Sequence, residues 1–169
     1  MNFDYCLKQL RVNSDAIQAM LEGVELDQAR WKPDAQSWSM LEVINHLADE
    51  ERHDFRARIR FVLAGAHGEP EPNDPQRWVV ERGYNQRDLA ASIADFVRER
   101  EDSLAWLPDV KDANWEAAYT APWGRIRAGD FLVSWAAHDL LHLRQLTELK
   151  WAYGLTQYGQ YSPGYAGDW

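Results

Sequence analysis

From Asp130 to Tyr153 the chain runs without a single glycine or proline, and its apolar residues recur at steps of three and four. Such a run is a helix of at least six turns, ~36 Å long at 1.5 Å per residue, and it needs partners of similar length to cover its apolar face. Three further periodic segments supply them. Phe3, Leu7, Leu10, Ile17, Met20, Leu21 and Val24 form one stripe. A second helix is expected to begin between Trp38 and Met40, where Ser39 and Glu42 have capping-box spacing, and to end near Gly65. A third carries Leu89, Ile93, Phe96, Val97, Arg100 and Leu104, begins after Asn85 and fades at Pro108. Gly154 is the expected stop of the last helix. The expectation is all-α: an up-and-down four-helix bundle. It fills a single domain over residues 1–169, with an irregular Tyr- and Gly-rich tail over 154–169.

The connections read as follows. Residues 69–76, rich in Pro and acidic side chains, are expected to form a surface loop. Between Pro108 and Gly129 turn formers dominate, and WEAAYT is compatible with a short extended piece. A chain of 169 residues, 46% of them hydrophobic, buries a core large enough to need no metal or disulfide as a staple, so any metal is free for function. The formal net charge of -9 argues against nucleic acid as the main partner. No apolar run approaches the roughly 20 residues that span a bilayer, and the N-terminus lacks the pattern of a signal peptide. The expected location is cytoplasmic. Cys6, the single cysteine, lies in the first stripe with no basic neighbour and reads as a small buried hydrophobe.

Chemistry concentrates in two helices. Phe131, Trp135, His138, His142, Gln145 and Leu149 lie on one stripe that begins and ends apolar, so two histidines one turn apart face the bundle interior. Buried imidazoles need hydrogen-bond partners, and two stacked together must avoid carrying charge simultaneously. A divalent ion satisfies both requirements. On the second helix Val43, His46, Leu47, Glu50 and His53 form a comparable stripe, with His46 set between apolar residues. Bundles assemble metal sites from facing helices, and three histidines leave coordination positions open, the catalytic rather than the structural pattern. Each part has a plainer reading: a chance His-x-x-x-His, a satisfied core histidine, or a solvated charged face. The joint pattern is stronger, because both helices set histidine in an apolar stripe and the chain has only five.

The segment WSMLEVINHLADEE, followed far downstream by HDLLHLRQL, resembles the DinB-like superfamily over most of the chain. The resemblance implies a four-helix bundle in which His46, His138 and His142 hold a divalent metal, commonly zinc or nickel. It also implies transferases and isomerases that use a low-molecular-weight thiol such as mycothiol, bacillithiol or glutathione on a small-molecule substrate. Glu50, one turn after His46, is the candidate catalytic residue, as an added ligand or general base, and equally reads as a solvated glutamate. Gln145 is a candidate to steady His142. Asp139, about 100° round the helix from His138, is assigned to another helix contact or to solvent. His53 lies too far along its helix to join the ion. HDLLH departs from the HExxH peptidase motif, since Asp shortens the base and no third downstream His follows.

Two alternatives stand beside the thiol enzyme: a metal-dependent hydrolase and a non-catalytic stress-response or binding module. Nine tryptophans and seven tyrosines suit a cleft lining or a homodimer contact. Trp38 and Trp135 fall near the expected ligands. Trp31, Trp115 and Trp123 lie in connections, and Tyr158, Tyr161, Tyr165 and Trp169 in the tail.

Overall fold

The structure, a computed structural model, describes residues 1–70, 72–122 and 124–167. Trp123 and Trp169, expected in a connection and in the tail, lie outside the described residues. Helix α1 (Phe3–Leu21) starts at Asn2, whose side chain accepts a hydrogen bond from Tyr5 N. A one-turn helix α2 (Leu26–Arg30) follows. Helix α3 (Met40–Asp49) opens with the expected capping box: Ser39 Oγ accepts from Glu42 N at 3.1 Å, and Glu42 Oε2 accepts from Ser39 N at 2.9 Å. It passes through a π-helical turn, Glu50–Phe55, into α4 (Arg56–Leu63). Helix α5 (Pro75–Glu81) leads to α6 (Leu89–Trp106), a β-hairpin of β1 (Ala118–Ala121) and β2 (Gly124–Arg127), and α7 (Ala128–Gln157).

Four rods, α1, α3–α4, α6 and α7, make the bundle. Helix α1 packs on α6 and α7, α3 on α6, and α4 on α7. Going round the bundle the order is therefore α1, α6, α3–α4, α7, so the connections from the first rod to the second and from the third to the fourth cross between non-neighbours. Ile17, Leu21, Met40, Ile44, Leu47, Phe96 and Leu146 fill one end of the core, and Leu10, Phe55, Ile59, Leu107, Leu132 and Trp135 the other.

Several boundaries differ from expectation. Asp88, not Asn85, caps α6, its Oδ1 accepting from Ala91 N at 2.8 Å. The acidic Pro-rich stretch ends in a helix: Asp74 caps α5 and Pro75 takes its first position, where a missing N–H costs nothing. WEAAYT contributes β1, paired antiparallel to β2 in register Tyr119 with Ile126. Gly154 does not stop α7, which runs on to Gln157 so that the irregular tail starts later. A Cβ at position 154 would meet the Tyr158 hydroxyl at 2.8 Å, so this glycine makes room for a ring one turn on. The tail tyrosines Tyr158, Tyr161 and Tyr165 are exposed.

The centre of the bundle is polar. Arg100, 1% exposed, donates two hydrogen bonds to Asp139 (2.9 and 2.8 Å), one to Glu51 Oε1 (2.8 Å) and one to the Leu10 carbonyl (2.6 Å). Trp135 Nε1 donates to the same Glu51 oxygen at 2.6 Å. Removing one partner from such a network strands buried charge. Arg100→Ala is expected to cost about 3–5 kcal/mol in chemical denaturation, and a loss below about 1 kcal/mol, the scale of an exposed pair, contradicts that role.

Candidate metal centre

Capping sets where α3 begins, and helical geometry then carries His46 to the interior, where only 4% of it is exposed. On α7 His138 and His142 are successive turns of one stripe, as their spacing requires. The two helices meet so that His46 Nε2 lies 3.3 Å from His138 Nε2, and His142 Nε2 lies 3.0 Å from it. Ligand nitrogens at 2.0–2.1 Å from one tetrahedral zinc are separated by about 3.3 Å. All three sequence-identified ligands are thus brought together, and among the described residues they form the one group of His, Cys, Asp or Glu side chains spaced to hold an ion.

The surroundings specify the His142 tautomer. His142 Nδ1 is 2.8 Å from Gln145 Oε1, so Nδ1 carries the proton and Nε2 presents its lone pair. His46 Nδ1 faces Glu50 Oε1 at 3.7 Å, beyond direct hydrogen-bond distance. The one Nε2 proton that His138 can carry serves only one of its two close contacts. The His138 Nε2 lone pair confronts that of His142 unless a proton or a cation lies between them, and a divalent ion among the three nitrogens serves them all at once. The donor set fits a divalent ion that takes neutral imidazole.

Burial keeps these rings neutral. Desolvation, reinforced by the neighbouring histidines, holds His46 down to about 2; desolvation and His142 hold His138 at about 3. His142 is also lowered by burial, with Gln145 opposing.

Glu50 opens the π turn and lies on the Nδ1 side of His46, whereas the other two histidines face Nε2. Asn73 Nδ2 donates to its Oε1 at 3.3 Å. Burial, then the nearby Asp54 carboxylate, pushes Glu50 up to about 8. His53 turns to Trp78, at 5.5 Å between ring centroids. Asp139 takes the helix-contact alternative, on Arg100.

Above the histidines opens a cleft of about 650 Å³, within the range of small-molecule sites. Trp38 walls it, 4.9 Å from His46 and parallel to His142 at 6.5 Å between centroids. Trp135 lies beneath instead: it stacks on Phe55, which meets His138 edge-on at 5.2 Å. The sequence reading missed the lining from Gln36, Ser37, Pro75, Gln76 and Glu148. It also left unused the Arg100 signal, a charge inside the apolar stripe of α6.

Residues 9–146 match the family model of the DinB superfamily, and the chain belongs to that family. Among solved structures it is similar to YfiT from Bacillus subtilis, described as a probable metal-dependent hydrolase with an unusual four-helix bundle topology. That likeness has a TM-score of 0.79 at 19% identity over 90% of this chain and 87% of YfiT, and it shows the shared fold. No curated protein matches the sequence significantly.

The depressed histidines carry a pH dependence with a definite sign. Unfolded imidazoles take up protons below about 6.5 while the folded ones do not, so metal-free stability is full above that value and falls as pH drops. Each ring contributes at most about 1.4 kcal/mol per pH unit. Glu50, protonated in the folded chain, opposes this because it gains stability as pH falls, so the test is the comparison: the denaturation midpoint is expected to fall more steeply from pH 7 to 5 in the native chain than in His138→Gln, and equal slopes contradict buried neutral histidines.

Proposed function

We propose that this chain is a metal-dependent enzyme that activates a low-molecular-weight thiol for transfer or isomerisation of a small molecule held in the cleft. The observation that carries this reading is the convergence of three neutral imidazoles at the floor of an open cleft. A divalent ion, zinc or nickel by family resemblance, supplies Lewis acidity that favours thiolate over thiol at neutral pH.

The protein's own groups do the rest. His46, His138 and His142 would hold the ion, and the cleft would give a substrate access to it. Gln145 Oε1 accepts a hydrogen bond from His142 Nδ1 and Glu50 lies on the Nδ1 side of His46, so both would leave the Nε2 atoms available to an ion. In this reading Glu50 acts through His46, as a positioning residue. Trp38, Phe55 and Trp135 keep water from the buried sides of the rings, while the amides of Gln36 and Gln76 receive the substrate from the rim. Metzincin-type peptide hydrolysis has no support in this geometry, because Asp139 is occupied by Arg100.

A second reading replaces the thiol by water and makes the chain a hydrolase. It is favoured by the description of YfiT as a probable metal-dependent hydrolase. Zinc-loaded protein given a thiol and an alkyl halide is expected to accelerate thioether formation. His142→Ala should reduce the rate at least a hundredfold. Thiol-independent ester hydrolysis lost in the same variant, with no thioether formed, would overturn the thiol reading in favour of the hydrolase. Glu50→Gln is expected to weaken metal affinity on the order of ten- to a hundredfold, and unchanged affinity would remove Glu50 from the positioning role.

A further inference from the structure

The cleft that opens on the histidines has a definite chemical character. Its wall presents the amides of Gln36, Gln76 and Gln145, the Ser37 hydroxyl and the Trp38 indole; its charged side chain is a carboxylate, Glu148. Amides and hydroxyls hydrogen-bond uncharged polar groups, and an indole face accepts apolar or cationic ones. A carboxylate or phosphate on the ligand meets none of the planar guanidinium or ammonium partners by which anions are usually bound, and it faces Glu148. Among the described residues the cation paired with Glu148 is Arg144, exposed and 3.4 Å away, and it does not line the cleft as Glu148 does. Four arginines, Arg52, Arg56, Arg58 and Arg60, line a separate hollow on the π turn and α4.

We infer that the thiol used at this site is neutral or cationic along the part that lies in the cleft, and that Glu148 disfavours thiols bearing a carboxylate there. The inference rests on the thiol-dependent reading above. An ion at the histidines draws the sulfur end of any thiol alike, so discrimination falls to the remote end. There the attraction of the ion is screened across an open cleft, and the wall decides.

Three six-carbon mercaptans separate these effects, because their thiols are far from the end group and ionise alike. Cobalt(II)-loaded protein is titrated with 6-mercaptohexanol, 6-aminohexane-1-thiol and 6-mercaptohexanoate, and binding is read from the sulfur-to-cobalt charge-transfer band. The amine and the alcohol are expected to bind at least fivefold more tightly than the acid, and Glu148→Lys should close or reverse that gap. Equal or tighter binding of the acid, or an unchanged order in Glu148→Lys, overturns the inference while leaving the thiol reading intact. A cobalt spectrum that responds to none of the three overturns the thiol reading and the inference with it. Absence of a cobalt spectrum overturns the metal centre on which both stand.

Discussion

Arg100 is the residue around which the bundle is registered. One guanidinium, almost wholly buried, joins Glu51 on the π turn, Asp139 on α7 and the Leu10 carbonyl of α1. Four elements are thereby fixed against one another, and each contact is directional in a way that apolar packing is not. Such clusters recover little net stability, since desolvating the charges offsets most of the attraction. What this one supplies is alignment. Asp139 follows His138 directly, and Glu51 follows Glu50, the residue that faces His46. Holding Glu51 and Asp139 to one side chain therefore holds the two ligand-bearing segments at a fixed offset.

The π turn completes the arrangement. It carries Glu50 and Glu51, adjacent in sequence and both buried, one facing His46 and one facing Arg100. The histidine cluster thus lies beside a π turn and a buried ion pair that together join the two helices carrying it. The three imidazoles owe their neutrality to burial, and His142 its orientation to Gln145. The result is a set of ring nitrogens gathered at one point.

The histidine cluster was legible in the sequence because helical periodicity is regular. Once His138 and His142 share a stripe with Phe131 and Leu149, their common face is settled, and the Ser39–Glu42 box sets the phase of His46. The family resemblance then pointed to the same three residues. What escaped the reading depended on departures from that regularity. Asp74 before Pro75 is a helix-entry signal, obscured by the acidic and proline-rich residues around it. Gly154 carries a stop signal, yet the helix runs through it to Gln157, and the missing Cβ leaves room for the Tyr158 ring one turn on. The π turn leaves no periodic trace in EERHDF. Arg100 stood in the apolar stripe of α6, yet its partners lie 49 and 39 residues away in the chain, and pairing over such distances is not encoded locally. The cleft wall is assembled the same way, from the loop before α3, from α5 and from α7.

The account stands or falls on the ion. Zinc titration of metal-free protein, followed by X-ray absorption at the zinc edge, tests it most directly. The account predicts one ion per chain with three imidazole nitrogens at about 2.0–2.1 Å, and loss of stoichiometric binding in both His46→Ala and His142→Ala. Native protein that binds no zinc or nickel, or variants that bind it as tightly as the native chain, would contradict it.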